Sequence, residues 1–313
     1  MSFTVDELKK KTIGVLYGGL SAEREVSLKS GDAVARALES KGYKVARVDV
    51  GKDVDQKLRE AKVDVAFVTV HGRYGEDGCL QGLLEALFIP YTGSGVLSSA
   101  LAMEKVYAKQ VFVSRGISTA EYRAFEDAKA ADIHGYDLPF HFPVVVKPSG
   151  EGSSVGVKIA KSGEELREAA RAAAGFKGSI LIERYVKGRE IQVGVLDNEA
   201  LGCIEVKPAG EFYDYNAKYV ANTTQYLFPA PIPEAAYHRC MEVALSAHRA
   251  LGCAGATRTD LILPEAGGEP IVLEVNTLPG MTEKSLLPKI AAGKGWDFAE
   301  LCERILKGAS LKA

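Results

Sequence analysis

Arg258-Thr259-Asp260, a glycine pair at Gly267-Gly268, and then Glu274-Val275-Asn276-Thr277-Leu278-Pro279-Gly280-Met281-Thr282 form the stretch on which the fold turns. Residues 256–263 and 270–276 are β-branched and apolar runs with charged or amide side chains inserted at every second position. With the glycine pair between them they predict a hairpin. Strand side chains repeat every second residue, so Arg258 and Asp260 share one face of the first strand, and Glu274 and Asn276 share one face of the second. A hairpin centred on Gly267 sets Asp260 opposite Glu274 and Arg258 opposite Asn276. Facing carboxylates repel, and such a face needs a compensating cation. The all-oxygen set Asp260, Glu274 and Asn276 suits Mg²⁺, which takes few protein ligands and completes its shell with water and phosphate oxygens. A solvated outer face neutralised by Arg258 is the other reading of the same spacing.

The chain around this hairpin has 313 residues, 47% of them hydrophobic and 26% charged, which indicates a globular protein of two or three domains. A net charge of −2 gives no electrostatic footprint for nucleic acid or an acidic membrane surface, so small molecules are the expected partners. The five cysteines, Cys79, Cys203, Cys240, Cys253 and Cys302, are scattered and contain no C-x-x-C pair. Neither a disulfide framework nor a zinc site follows from them. No apolar run approaches the roughly 18 residues of a membrane span, and no apolar segment follows Lys9-Lys10-Lys11, so the expected location is the cytoplasm.

Residues 12–17 read as a strand, followed by a glycine turn, a polar loop carrying Glu23, and a helix to about residue 41. Strands at 43–50 and 63–70 alternate with helices near 54–61 and 80–87, the βαβ pattern of a parallel sheet. Ligands of such sheets bind beyond the carboxyl ends of the strands, where the Glu23 loop and His71-Gly-Arg73-Tyr74-Gly-Glu76-Asp77-Gly78 stand. Taken alone, Glu23 complements the positive end of its helix and His71 is a loop histidine with a structural hydrogen bond. A long amphipathic segment at 96–115, containing Lys105, begins the second unit.

A strand at 142–147 then runs into Pro148-Ser149-Gly150-Glu151-Gly152-Ser153-Ser154-Val155-Gly156 and out through 157–160. Backbone N–H groups and hydroxyls of such a loop can wrap phosphate oxygens while Lys147 supplies positive charge. It is not a Walker A loop, because the lysine precedes the glycines and no helix follows; an ordinary hairpin loop is the alternative. Ser162 and Glu165 form a capping box for a helix to about residue 174. A strand at 179–186 with an acidic end, then Gly188-Arg189-Glu190 and a strand at 191–196, suggest a hinge between units, and Asp197-Asn198 turns back into 200–206. Phe212-Tyr213-Asp214-Tyr215-Asn216-Ala217-Lys218-Tyr219 opens an irregular polar stretch to Pro233, too long for an idle connector and read as a lid, with a packed surface loop as the alternative. Helices at 234–251 and 296–306 complete the pattern.

Five motifs in order, the segment from His71 to Gly78, Lys147 to Gly156, Phe212 to Tyr219, Arg258-Thr259-Asp260, and Glu274 to Thr282, resemble the D-alanine–D-alanine ligase family of the ATP-grasp fold. The resemblance covers nearly the whole chain, from Gly18 past Met281. It implies an α/β architecture: an ATP-grasp fold behind an N-terminal parallel-sheet domain at 1–99, with a central unit at 100–185 and a C-terminal unit at 186–313. It further implies ATP held between the last two units, two Mg²⁺ ions that Mn²⁺ can replace, and a homodimer. The implied reaction joins two D-alanine molecules through a D-alanyl phosphate, for peptidoglycan precursor synthesis.

By matching position, Lys105 and Lys147 would contact ATP phosphates, with Ser154 and Lys218 completing the nucleotide contacts. Glu183, Arg184 and Val186 would border the adenine, and Glu190 would take the ribose. Asp260, Glu274 and Asn276 would hold the metal. Glu23, Ser153 and Tyr219 match a hydrogen-bonded triad that ties the substrate site to the phosphate loop and the lid. Arg258 and the Gly280 backbone match the groups facing the tetrahedral centre, and Val26, His71, Ser285 and Leu286 match the substrate pocket. Thr259 stands where a larger aliphatic is usual and Asn216 where a charge is common. Strand alternation points Thr259 away from the site. Ligases making D-alanyl-D-lactate or D-alanyl-D-serine on the same fold, and a nucleotide-binding regulator without ligation, are the competing readings. Tyr219 speaks against the lactate version, whose members tend to carry histidine there.

Overall fold

The structure, a computed structural model, describes residues 3–125, 138–176, 178–207, 224–283 and 285–312. It opens on a short helix that the sequence pattern did not indicate, α1 (Val5–Lys9), whose N-terminus is closed by a reciprocal box between Thr4 and Glu7. The expected βαβ unit follows as β1 (Thr12–Gly18), α2 (Arg24–Ser40), β2 (Lys44–Val50), α3 (Val54–Glu60) and β3 (Val65–Val68). The three strands are parallel in the order β2-β1-β3. Ile13, Val15 and Leu16 are fully buried, as a sheet covered on both faces requires. Each aliphatic side chain so buried stabilises the fold by roughly 1.5–3 kcal/mol. α4 (Cys79–Ala86) follows the polar loop after β3.

The amphipathic segment at 96–115 is not one helix. It divides into α5 (Val96–Met103) and α6 (Lys105–Ser114) because Glu104 adopts an extended conformation, φ −90° and ψ 94°. Ser149 holds the break open. Its hydroxyl donates to Glu104 Oε2 at 2.9 Å and accepts from the Val106 amide at 3.2 Å, and its carbonyl accepts from the Lys105 amide at 3.1 Å. The first residues of α6, Lys105 among them, are thereby pinned to the start of the glycine- and serine-rich loop at 149–156.

β4 (Tyr122–Phe125), β5 (Val144–Pro148), β6 (Lys158–Ala160), α7 (Gly163–Ala173) and β7 (Ile180–Arg184) come next, and their strands form an antiparallel sheet in the order β4-β7-β5-β6. The hydroxyl of Ser162 caps α7 as expected, accepting from the Glu165 amide at 3.2 Å, although the Glu165 carboxylate reaches back to the Lys161 amide instead of closing on Ser162. β8 (Gly188–Leu196), β9 (Glu199–Lys207), β10 (Gln225–Leu227), α8 (Glu234–Ala250), β11 (Ala256–Pro264) and β12 (Ile271–Asn276) build a second antiparallel sheet, β10-β9-β8-β11-β12. β10 departs from the irregular stretch expected up to Pro233: Gln225 pairs with Lys207 at the sheet edge. α9 (Leu286–Ala292) and α10 (Phe298–Lys307) close the chain. Among the described residues, no helix is long and apolar enough to cross a membrane.

The register of β11 and β12 decides the site. Arg258 pairs with Asn276, Thr259 with Val275 and Asp260 with Glu274, the register expected from a hairpin centred on Gly267. Beyond Asp260 it slips, with Leu261 opposite Val272, so Leu273 is an extra residue in β12. Such a bulge re-aims side chains and recurs beside active sites. On the other face of β11, Thr259 is buried and donates to the Ala244 carbonyl of α8 at 3.4 Å, and Thr257 meets His248 Nδ1 at 2.8 Å. Alternation therefore sends Arg258 and Asp260 away from α8, and Thr259 away from the site.

Candidate active site

The face predicted to need a cation contains two of its own. Arg258 grips Asp260 through two parallel hydrogen bonds, Nε to Oδ1 at 2.7 Å and Nη2 to Oδ2 at 2.9 Å. Lys105, from the first turn of α6, approaches Glu274 Oε2 to 3.4 Å. Asn276 Oδ1 accepts from the Leu278 amide at 3.0 Å. The carboxylates face one another as expected, and Arg258 neutralises one of them on a face that is largely buried, not solvated. The set fits a hard divalent ion, because Asp260 is only 4% exposed, stands directly across from Glu274, and every donor is an oxygen. Among the described residues no three His, Cys, Asp or Glu side chains converge for a metal, which leaves a site of two carboxylates and one amide.

In the other antiparallel sheet, Glu183 on β7 is buried between two lysines. Lys147 Nζ of β5 lies 2.6 Å from Oε2 and Lys109 Nζ of α6 lies 2.5 Å from Oε1. Burial raises the pKa of this carboxyl, but the Lys147 and Lys109 ammonium groups outweigh it and hold it below the ordinary carboxylate range. Glu183 Oε1 has no aligned hydrogen-bond donor despite the close ion pair. Arg184 is exposed beside Glu183, Val186 is half-buried just beyond it, and Glu190 on β8 accepts from Gln192 Nε2 at 3.3 Å.

The glycine- and serine-rich loop between β5 and β6 contains consecutive left-handed residues, Ser153 at φ 51° and Ser154 at φ 59°. Non-glycine residues held so cost roughly 1–3 kcal/mol each and gather at functional sites. Lys105 Nζ donates to the Glu151 carbonyl of this loop at 2.6 Å. Two contacts join the loop to the N-terminal sheet. The Ser153 hydroxyl donates to the Glu23 carboxylate, and Arg73 pairs with Glu151 at 3.0 Å.

Glu23 immediately precedes α2 and Val26 lies in its first turn. His71 is buried, with Nδ1 3.5 Å from Glu76 and Nε2 3.3 Å from Ser30 Oγ. Burial would lower its pKa, yet Glu76, Glu23 and the Leu278 carbonyl together raise it above the ordinary histidine value. Ser30 Oγ also accepts from the Met281 amide at 3.4 Å, bringing the segment after β12 against α2. There Ser285 Oγ shares a hydrogen bond with Thr282 Oγ1 at 2.8 Å and accepts from the Thr282 amide at 3.1 Å. A Cβ on Gly280 would lie 3.0 Å from Ser285 Oγ, so glycine lets the two approach. Leu286 is buried with Met281 in the core. Lys218, Tyr219 and Asn216 lie outside the described residues.

Sequence reading passed over Lys109, Arg73 and Glu104. Lys109 had a signal: it lies four residues after Lys105 and so on the same face of one helix. Arg73 and Glu104 had none, since their partners are 78 and 45 residues away in the chain.

Two family models match the chain, the D-ala D-ala ligase N-terminus over residues 50–94 and the D-ala D-ala ligase C-terminus over 111–307. A D-alanine--D-alanine ligase of Anaeromyxobacter sp. (strain Fw109-5) is 59% identical over 303 residues, 97% of this chain and 98% of that one. The chain belongs to the D-alanine–D-alanine ligase family. Among solved structures, a D-alanine--D-alanine ligase from Bacillus anthracis complexed with ATP superposes with a TM-score of 0.84 at 32% identity, covering 95% of this chain and 97% of that one. The VanG D-Ala:D-Ser ligase from Enterococcus faecalis superposes with a TM-score of 0.82 at 28% identity, over 94% and 98% of the two chains. As a D-alanine–D-alanine ligase family member, the chain has the ATP-grasp fold expected from its motifs.

Proposed function

We propose that this protein ligates two D-alanine molecules to D-alanyl-D-alanine using ATP. The observation that carries the reading is the 59% identity to a D-alanine--D-alanine ligase along almost the full length of both chains. The D-Ala:D-Ser relative is less similar, at 28% identity, and does not displace it.

The residues divide the work by position. Lys105, Lys147 and the Ser153–Ser154 turn receive the phosphates, Glu183 with its neighbours Arg184 and Val186 receives the adenine, and Glu190 receives the ribose. Lys218 and Tyr219 act from the lid. Asp260, Glu274 and Asn276 would hold Mg²⁺, which when bound supplies positive charge to the phosphates. Near Glu23, Val26 and His71, the Glu23 carboxylate holds the ammonium of the first D-alanine. The carboxylate of that D-alanine attacks the γ-phosphorus, giving D-alanyl phosphate and ADP, with Lys105 and Lys147 neutralising charge as it moves to the leaving ADP. The amine of the second D-alanine, beside Ser285 and Leu286, then attacks the acyl carbon. Arg258, released from Asp260, and the Gly280 N–H stabilise the oxyanion, and inorganic phosphate leaves. Closure of the lid keeps water from the acyl phosphate.

The same proposal divides the chain into three units at 1–99, 100–185 and 186–313, with the nucleotide between the last two. The product serves peptidoglycan precursor synthesis in the cytoplasm. A homodimer is part of the same proposal. Exposed apolar side chains at Phe88, Leu97 and Leu311 support it, because pairing of Tyr91 with Ser310 and of Lys312 with Glu85 gathers these segments together. Phosphate release measured with ATP and Mg²⁺ plus D-alanine, D-serine, D-lactate or L-alanine tests the function. Release is expected with D-alanine alone, and its absence overturns the reading.

A further inference from the structure

We propose that Lys109 is a positioning residue for nucleotide use, a fixed buried counter-ion that keeps Glu183 paired when Lys147 turns from it to an ATP phosphate. The proposal rests on the roles given above to Glu183 and Lys147. Its motive is an excess of charge, since one carboxylate is held by two ammonium groups where one would neutralise it.

The two lysines differ in commitment. Lys109 is fully buried and donates to Thr119 Oγ1 at 2.6 Å and to the Ala120 carbonyl at 3.2 Å, and its Nζ stands 5.3 Å from the centre of the Tyr122 ring. With Glu183 as a fourth partner it has no freedom to leave. Lys147 has Glu183 as its ion-pair partner and lies at the end of β5, where the chain enters the loop at 149–156. A buried carboxylate whose single cation departed would be left uncompensated. With Lys109 in place, Lys147 can exchange Glu183 for phosphate and Glu183 stays ionised and in position.

Lys109 also reaches the metal strand. The Thr119 hydroxyl that accepts from Lys109 donates to the Val272 carbonyl at 2.8 Å, and the Val272 amide donates to the Ser118 carbonyl at 2.9 Å. Val272 lies on β12 ahead of Glu274. One ammonium group therefore sets the adenine carboxylate and the crossing to the strand proposed to hold the metal.

Lys109→Met tests this in the full-length protein by phosphate release at varied ATP and varied D-alanine. The expected result is a rise of about 10-fold or more in KM for ATP, with KM for D-alanine changed by less than about 2-fold. The shift in melting temperature produced by ATP and Mg²⁺ should shrink in parallel. A variant that loses thermal stability but keeps the wild-type KM for ATP and its ATP-induced shift overturns the proposal. Should Lys109→Met not fold, Thr119→Val carries the test, with a rise of about 3-fold in KM for ATP expected and an unchanged value overturning it. Wild-type protein without D-alanine-dependent release would instead overturn the ligase reading, so the two failures are distinct.

Discussion

The carboxylate face of β11 and β12 and the Glu183 pocket draw on the same residue types and differ in their balance. Asp260 and Glu274 meet two cations, Arg258 and Lys105, whereas Glu183 alone meets two, Lys109 and Lys147. The first cluster is neutral as it stands, so it accepts a divalent ion only by letting its own cations swing away. Those cations are the groups proposed to act on the oxyanion and the phosphates. The second cluster carries one surplus positive charge and suits an anionic nucleotide without dismantling its buried part. On the roles proposed above, binding metal and freeing Arg258 and Lys105 are a single event on the first face, while the second keeps Lys109 on Glu183 throughout.

The largest effect should come from the neutral face. Glu274→Ala is expected to lower kcat by about 10³-fold and to distort the Mg²⁺ titration, followed by phosphate release. A normal titration would break the comparison, because Glu274 would then be only a partner for Lys105. Arg258→Ala should lower kcat by about 10²-fold with little change in KM for ATP, as expected of a group acting on developing charge. An unchanged kcat in that variant would reduce Arg258 to a neutraliser of Asp260.

Smaller effects are expected at the rim. Ser153→Ala removes the hydrogen bond to Glu23 and leaves the backbone turn, and should lower kcat/KM for D-alanine by about 10-fold. Equal kinetics in both proteins would separate the phosphate loop from the substrate side. Two buried histidines should give the smallest signals, with opposite signs. His248 is pushed down to about 4, first by burial and then by Arg249, so it stays neutral in the folded chain. Its contribution is present above the unfolded value of 6.5 and is lost as pH falls from there towards about 4. His71 is raised, so its contribution is complete below the unfolded 6.5 and is lost as pH rises through its folded value. Melting temperatures against pH for His248→Gln and His71→Gln should cross the wild-type curve's slope in opposite directions. Parallel slopes would show that the two environments do not differ as drawn.

Much of this was legible in the chain because it is local. The hairpin register, the parallel sheet and the capped helix α7 follow from side-chain period, glycine placement and an Ser162–Glu165 spacing. The bulge at Leu273 was not legible, since alternation continues through Glu274 and Asn276 whether or not a residue is inserted before them. Lys109 could be placed beside Lys105 by its spacing, but its pairing with Glu183, 74 positions later, could not. β10 was missed because a strand of three residues draws its identity from β9 and not from its own composition. Neutralisation of the carboxylate face by Arg258 was one reading of its spacing, whereas the approach of Lys105 to Glu274, 169 positions away, is a tertiary fact that only packing reveals.

The break at Glu104 has a consequence for how this protein could be improved. Residues 96–115 would locally prefer one continuous rod, and each helical residue turns the chain by about 100°. Relaxing Glu104 into that rod would swing everything after it, Lys105 and Lys109 included, about the helix axis. The chain here opposes its own local preference, held by Ser149 from the loop that follows β5. Design that rewards helix propensity at this position would therefore gain rigidity and misdirect both lysines together.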